Sequence, residues 1–254
     1  MKNIAKTLKA RLRSGENILG TWCLLPSAAV VNVIAKAGLD FILIDQEHGA
    51  ISPETALGMV MAAQSEGAAA VIRVSSSNES EITKALDIGA NGVIVPHIET
   101  ADDCKSAMSL IKYPPSGVRG FSPYVRSGGY RWQKGYTAEE NKRILSGIII
   151  EGQAGIGGID SIIDDPDVDL VYIGAYDISA ALGIPGQVSD PKVMKILKDC
   201  VKKIRAKKKA AGALFHSEQE LKLFKSIGVQ FLCYRVDSDV LYSVFNSVQN
   251  KFRR

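Results

Sequence analysis

One short stretch of the sequence joins an apolar run to three ionisable side chains. Residues 40–49 read DFILIDQEHG, so Asp45, Glu47 and His48 follow directly after four apolar residues. Apolar runs of this length are typical of buried strands. A carboxylate can hold a proton donor in place, and an imidazole can exchange a proton near neutral pH. The pattern therefore predicts proton-transfer chemistry at the carboxyl end of a buried strand.

Two more acids, Glu151 and Asp177, come at the ends of two later apolar runs. If these runs form adjacent parallel strands, the strands lie about 4.8 Å apart, and the two carboxylates repel each other unless a cation neutralises them. Mg²⁺ and similar cations are held by one or two carboxylates together with water and substrate oxygens. Two alternatives stay open. The acids could cap the following helices, or they could form a glycosidase pair, although Trp22 and Trp132 are the only tryptophans available to stack on sugars.

Two arginines interrupt apolar runs. Arg73 follows the residues AAVI, and Arg235 lies within FLCYRVD. A guanidinium inside a strand needs an anion, and its planar fork suits a carboxylate or an enolate oxygen. Arg73 could instead, or in addition, pair with Asp45. If the side chain of Arg235 points into a substrate site, we expect it to bind a further substrate carboxylate. If it points to the other face of its strand, we expect it to pair with Asp237 or with an acid on a neighbouring helix.

The elements that must position these side chains alternate regularly. Apolar runs are recognised at residues 18–25, 41–45, 70–74, 92–98, 147–152, 170–177, 210–215 and 231–237. Most are continuous, as expected of parallel strands covered on both faces, and helical patterns with capping residues such as Ser27 and Ser52 lie between them. The chain is therefore predicted to be one (β/α)8 TIM barrel over residues 1–254. In such barrels the active site lies at the carboxyl ends of the strands, where His97, Glu99 and His216 also fall.

Two segments depart from the alternation. Residues 113–141 form a long connection rich in Gly, Pro, Arg and aromatic residues, and we expect it to be an active-site loop. The basic helix predicted at residues 2–14 is expected to cap the bottom of the barrel.

Composition excludes several functional classes. The net charge of +4 is too small to indicate nucleic-acid binding, and the basic run at residues 202–210 is explained by a solvated helix end. No apolar run approaches the length of about 18 residues that a membrane span needs, and the N-terminus lacks the apolar core of a signal peptide. Four cysteines without metal-site spacing suit a reducing compartment. A cytoplasmic protein is expected.

The combined motifs resemble a known family. IDQEHG, IRV, ALDIGANGVIVP, YPPSGVRG, IEG and YIGAYDISAALG together resemble the HpcH/HpaI-type class II pyruvate aldolases over nearly the whole chain. The resemblance implies a (β/α)8 barrel that forms and cleaves carbon–carbon bonds through a metal-stabilised pyruvate enolate. It further implies Mg²⁺, with Mn²⁺ or Co²⁺ as alternatives, a small 2-oxo acid substrate, and a homo-oligomer (hexamer or dimer) whose last helix packs across subunits.

The resemblance also implies a role for individual residues. These are metal binding by Glu151 and Asp177, acid–base catalysis by His48 paired with Asp87, binding of the 2-oxo oxygen by Arg73 beside Asp45, and a carboxylate cradle from Gly174 to Asp177. The chain departs from the family pattern at Ile149, Tyr176 and Arg235. Tyr176 and Arg235 replace small residues near the expected mouth, which indicates a bulkier or more anionic substrate. A citrate-forming synthase acting on oxaloacetate and acetyl-CoA therefore remains an alternative, as does a barrel that only binds a metabolite.

Overall fold

The computed structural model describes residues 7–253. Within them, parallel strands pair in chain order and the last strand pairs with the first, so the sheet closes into a barrel. The strands are β1 Ile18–Cys23, β2 Phe41–Asp45, β3 Ala69–Arg73, β4 Gly92–Val95, β5 Leu145–Ile150, β6 Leu170–Ile173, β7 Ala210–Phe215 and β8 Phe231–Val236. The predicted (β/α)8 barrel is confirmed.

Helices alternate with these strands and surround them. They are α1 Leu8–Arg13, α2 Ala28–Lys36, α3 Pro53–Ser65, α4 Glu79–Asp87, α5 Ala101–Ile111, α6 Tyr136–Arg143, α7 Gln153–Gly157, α8 Ile159–Ile162, α9 Ala175–Ala181, α10 Pro191–Ala206, α11 Glu218–Ile227 and α12 Asp237–Phe252. The predicted caps are present, since Ser27 accepts a hydrogen bond from the Val30 amide and Ser52 accepts one from Thr55. Over residues 7–253 no helix is both long and apolar enough to cross a membrane.

The barrel interior is filled by large side chains beside glycines. The rings of Phe41 and Phe231 stack with centroids 3.8 Å apart. Gly20 makes room for them, because a Cβ there would lie 2.4 Å from the Phe41 ring. Leu8 and Leu12 of α1 belong to the same buried cluster and close its lower end. The capping role predicted for the N-terminal helix is thus confirmed for α1; the part of that prediction covering residues 2–6 lies outside the described residues.

Six strands end earlier than predicted, β4 by three residues and β6 by four. β4 stops at Val95, and His97 just beyond it takes a left-handed backbone conformation with φ of 58°. β6 stops at Ile173 because Gly174 is already the N-cap residue of α9. Asp177 therefore lies in the first turn of α9, where the sequence prediction had it ending the strand. Glu151 follows β5 by one residue.

The long connection at residues 113–141 follows helix α5, so it runs at the end of the barrel where strands begin. Its Arg126 donates to the Gln64 side chain at 2.7 Å and to the Ile88 carbonyl at 3.2 Å, near the last turns of α3 and α4. Helices that follow strands in a barrel return to the amino ends of the strands, so a helix-to-strand connection lies opposite the active-site face. In the single chain this segment is remote from the predicted site.

Helix α12 packs little against its own barrel. Of its described residues, only Asp237 is buried, whereas Phe245 and Val248 are 69% and 60% exposed. Beside it, Val30 and Val33 of α2 and Leu241 line an almost wholly apolar groove. Both the apolar helix face and the groove lack a partner among the described residues.

Candidate active site

A cavity of about 240 Å³ opens at the carboxyl ends of the strands, on the face where barrels of this kind carry their active sites. Most of the predicted site residues line it. They are Asp45, His48, Arg73, Glu151, Gly174, Tyr176 and Asp177. Asp87, Arg235 and residues 113–141 are not among its lining residues.

Arg73 is held by two carboxylates at the base of the cavity. Its Nε and one terminal nitrogen donate to the two oxygens of Asp45 at 2.9 and 2.6 Å, and its other terminal nitrogen lies 2.8 Å from Glu47. Its Cζ lies 4.5 Å from the centroid of the Trp22 ring. Burial alone would lower the pKa of Arg73, but bonding to Asp45 outweighs it and raises the pKa. The guanidinium is therefore a fixed cation, and two of its five N–H donors remain free of these contacts.

Asp45 also shapes the turn that carries Glu47 and His48. One of its oxygens accepts hydrogen bonds from the backbone amides of Glu47 and His48, at 3.0 and 3.3 Å. Gly49 closes the turn, because a Cβ there would lie 2.3 Å from the Asp45 carbonyl oxygen. The His48 ring is exposed, and none of the described residues hydrogen-bonds to it. The cluster of ionisable residues after β2 is thus one buried acid that orients both an arginine and a turn.

A second histidine joins two of the acids. His97 places Nε2 2.8 Å from Glu47 and Nδ1 2.8 Å from Glu151, and its backbone amide donates to Glu151 at 3.0 Å. Its left-handed backbone turns the ring and the amide toward the same carboxylate. Sequence reasoning listed Glu47 and His97 among the rim residues but gave them no role, because this bridge joins residues beyond the ends of β2, β4 and β5, which only the closed barrel brings together.

Glu151 and Asp177 converge on the space beside Gly174. A Cβ at Gly174 would lie 3.3 Å from one Glu151 oxygen and 3.5 Å from one Asp177 oxygen. Burial raises the pKa of Glu151, His97 acts against this, and the charges of Asp177 and Glu47 raise the pKa further. Neither acid caps a helix, since the N-cap residues of α7 and α9 are glycines and neither helix has a side-chain cap bond. The helix-cap alternative is therefore wrong.

This pair of acids suits a hard cation. The oxygens are hard ligands, they repel each other, and glycine leaves room next to both. The residues from 7 to 253 contain no set of three or more His, Cys, Asp or Glu side chains arranged around one metal position. Two carboxylates, with water and substrate completing the shell, fit the way proteins usually hold Mg²⁺.

Asp87 does not meet His48 within one chain. It ends helix α4, on the opposite side of the barrel from the cavity, and accepts a hydrogen bond from the buried Arg119 at 2.7 Å. A helix that returns from a strand end must finish at the other face. A pair between Asp87 and His48 could therefore form only between two copies of the chain.

Arg235 does not face the cavity either, which corrects its predicted role in substrate binding. Strict alternation after Phe231 and Cys233 would point it inward. Instead its φ is 48°, and the pairing of β1 with β8 shifts from Gly20–Cys233 to Trp22–Val236, so Val236 takes the inward position. Arg235 turns outward and donates to Asp239 and Ser243 of α12, both at 2.6 Å. A β-bulge of this kind re-aims a side chain without any change in its identity.

Tyr176 and His216 form a polar contact at the mouth. The Tyr176 hydroxyl lies 3.0 Å from His216 Nε2, and both side chains line the cavity. Burial raises the pKa of Tyr176, and the charges of Asp239 and Glu220 raise it further, so the phenol is neutral at pH 7. Sequence reasoning noted Tyr176 as unusual but did not predict this partner, which lies 40 residues away.

Comparison with known proteins agrees with this geometry. A family model described as HpcH/HpaI aldolase/citrate lyase matches residues 19–242. A hydroxypyruvate/pyruvate aldolase from Sagittula stellata is 31% identical over 233 residues, which cover 92% of each chain.

Solved structures give the same picture. An HpcH/HpaI aldolase/citrate lyase family protein from Burkholderia cenocepacia aligns with a TM-score of 0.92 at 25% identity, over 97% of this chain and 99% of that one. The citrate synthase SbnG aligns with a TM-score of 0.89 at 29% identity, over 97% of both chains.

Proposed function

We propose roles for the residues of the cavity on the premise that the chain belongs to the HpcH/HpaI aldolase/citrate lyase family. The protein is an enzyme of the carbon–carbon lyase class and acts, like an aldolase, on 2-oxo acids. Our proposal is that it forms or cleaves a 4-hydroxy-2-oxo acid, with pyruvate as the nucleophilic half. The observation that carries this proposal is that one arginine fork and two converging carboxylates open on the same cavity.

Glu151 and Asp177 are proposed to hold a divalent cation, with Mg²⁺ expected and Mn²⁺ or Co²⁺ as alternatives. When bound, such an ion supplies a positive charge that offsets negative charge developing on the substrate oxygens. The mutual repulsion of the two acids and the space beside Gly174 support this assignment.

Arg73 is proposed to bind the 2-oxo oxygen. Its fork is already fixed by Asp45 and Glu47, so the remaining N–H donors are oriented before substrate arrives. Donors fixed in advance stabilise developing charge without reorganising. Gly174 and the amides that open α9 are proposed to receive the substrate carboxylate, because the first amides of a helix have no acceptor within the helix.

His48 is proposed to move the proton during enolisation of the pyruvate methyl group. Its ring is exposed at the cavity and makes no hydrogen bond within the described chain, while Asp45 holds its backbone. Asp87 of a second copy is proposed to pair with it and to fix the tautomer, as the family resemblance implies. Such a pair would place two copies of the chain around each active site.

A homo-oligomer is proposed for a second reason. The exposed apolar face of α12, including Phe245 and Val248, and the groove beside α2 are complementary in character. A second copy that places its last helix in this groove would bury both. Contiguous apolar surfaces of this kind usually mark an interface. A cytoplasmic location also belongs to the proposal, supported by four free, buried cysteines.

The citrate-forming alternative is supported by the similarity to the citrate synthase SbnG. The expectation that Arg235 binds a substrate carboxylate no longer supports this alternative, because Arg235 donates to Asp239 and Ser243 outside the cavity. We therefore favour the aldolase reaction. The two differ in a direct assay: the purified protein with Mg²⁺ is offered pyruvate with an aldehyde and, separately, oxaloacetate with acetyl-CoA.

The central test measures exchange of the pyruvate methyl protons in D₂O with Mg²⁺ present. Glu151→Gln should reduce exchange at least about a hundredfold, since it removes a charged ligand from the site. Glu139→Gln is the matched control, because Glu139 is exposed and its one ion pair among the described residues is with Lys142. Exchange that persists at the native rate in EDTA, or in Glu151→Gln, would overturn the metal assignment.

A further inference from the structure

The mouth of the cavity carries a chain of three side chains that the reaction as proposed does not use. Tyr176, in the first turn of α9, contacts His216 Nε2 at 3.0 Å. On the other side of that ring, His216 Nδ1 lies 3.5 Å from Glu220, and the same Glu220 oxygen accepts the His216 backbone amide at 2.6 Å. The second oxygen of Glu220 accepts from Ser189 at 3.1 Å. The imidazole is thus oriented from behind by a carboxylate that is itself held in place.

The contacts of His216 favour one direction for its hydrogen bond with Tyr176, which the 3.0 Å distance alone leaves open. The Glu220 charge favours the proton of a neutral His216 on Nδ1, even though 3.5 Å is too long for a strong hydrogen bond. Nε2 is then an acceptor, and the tyrosine donates its only proton to it. The oxygen of Tyr176 is left with its lone pairs available at the cavity mouth.

The residues around the Tyr176 oxygen limit which substrate groups can bind to it. On the same wall the cavity is lined by the apolar side chains of Val188, Leu214 and Val236. Asp239 and Arg235 near this wall form an ion pair with each other, so together they offer no net charge to a substrate. A carboxylate on the substrate brings only acceptors and would meet an acceptor at the Tyr176 oxygen. A hydroxyl group brings a donor and therefore fits this oxygen.

We propose that Tyr176, positioned by His216 and Glu220, is a specificity-determining residue that accepts a hydrogen bond from a hydroxyl on the aldehyde half of the substrate. This inference rests on the proposed aldolase function and adds the class of acceptor: hydroxylated, uncharged aldehydes are preferred over plain or carboxylated ones. Val188, Leu214 and Val236 contribute no competing polar group.

The test compares two aldehydes that differ by one hydroxyl. Glycolaldehyde and acetaldehyde are offered with pyruvate and Mg²⁺, and the ratio of their kcat/KM values is measured. One neutral hydrogen bond corresponds to a ratio of up to about tenfold. Tyr176→Phe keeps the ring and should lower the native ratio by about that factor, whereas Tyr242→Phe, an exposed phenol on α12, should leave it unchanged. Glyoxylate, which carries a carboxylate, should be a poorer acceptor than glycolaldehyde with the native enzyme.

His216 acts through Tyr176, so its effect should depend on the tyrosine. His216→Asn should lower the glycolaldehyde-to-acetaldehyde ratio when residue 176 is Tyr and should not change it in the Tyr176→Phe background. A merely structural histidine would lower both rates equally in both backgrounds. An unchanged ratio in Tyr176→Phe overturns the inference. Absence of pyruvate methyl exchange in the native enzyme overturns the proposed function instead, so the two failures are distinct.

Discussion

Replacement of Arg73 by lysine separates a catalytic arginine from a structural one. Arg73 makes three contacts with carboxylates, two to Asp45 and one to Glu47. A lysine ammonium keeps the charge but lacks the planar fork, so it can satisfy only part of this set. The buried Asp45, 1% exposed, would lose at least one of its two partners on Arg73.

The expected size of each effect follows from these contacts. Disrupting a buried ion pair costs about 3–5 kcal/mol when one partner is removed, so partial loss in Arg73→Lys should cost a few kcal/mol of unfolding free energy. If Arg73 also presents oriented donors to the 2-oxo oxygen, losing one of them should slow enolisation about 100- to 1,000-fold. The first effect is thermodynamic and the second kinetic, so they can be measured separately.

The assay pairs thermal unfolding with pyruvate methyl-proton exchange in D₂O. Arg143→Lys is the matched control, because Arg143 holds Glu140 through the same two-pronged contact at 2.8 and 2.7 Å, away from the cavity. Both variants should be less stable, but only Arg73→Lys should lose exchange. If Arg73→Lys exchanges within about threefold of the native rate, the reasoning is refuted and Arg73 is only the structural partner of Asp45.

Two further predictions concern stability and assembly. Burial lowers the pKa of Lys112 from its ordinary 10.5 to about 8, with Lys9 adding to the effect. The folded state therefore binds fewer protons than the unfolded state between about pH 8 and 10.5, and stability rises with pH across that window. At pH 7, keeping the buried Lys112 protonated costs the folded state about 3 kcal/mol. Lys112→Met removes this cost but also loses the hydrogen bond to the Asn141 carbonyl, so it should stabilise the protein by about 2 kcal/mol. This gain should vanish near pH 10.5, where the lysine is neutral in the folded state and is losing its proton in the unfolded state as well. Urea unfolding at pH 7 and 10 measures this, and an equal gain at both would contradict it. Phe245→Asp should convert an oligomer to monomers in light scattering at micromolar concentration; a native protein that is already monomeric would exclude the proposed assembly.

The fold could be predicted because its signals are local. Continuous apolar runs marked every strand, and capping residues such as Ser27 and Ser52 marked helix starts. The residues at or just after strand ends, among them Asp45 and Glu151, were placed at one face by the rule that parallel strands share their carboxyl ends. Seven of the nine predicted site residues line the cavity for this reason.

The remaining features depend on backbone path and on distant partners. Asp87 was assigned by family resemblance, and only the course of α4 shows that it lies on the far face of its own barrel. The position of residues 113–141 depended on recognising that they follow a helix. The contact between Tyr176 and His216 joins two strand ends that are far apart in sequence. Such contacts need the register of the closed barrel, which no local pattern carries.

The bulge at Arg235 has a consequence for comparing barrels of this family. An alignment that counts residues along β8 predicts that the Arg235 side chain points into the cavity. In the structure, the left-handed backbone at Arg235 turns that side chain away, and Val236 lines the cavity instead. Because side chains alternate along a strand, a single-residue change in backbone path exchanges a valine for a guanidinium at the mouth. Substrate range in such barrels can therefore diverge while every side chain of the strand stays the same.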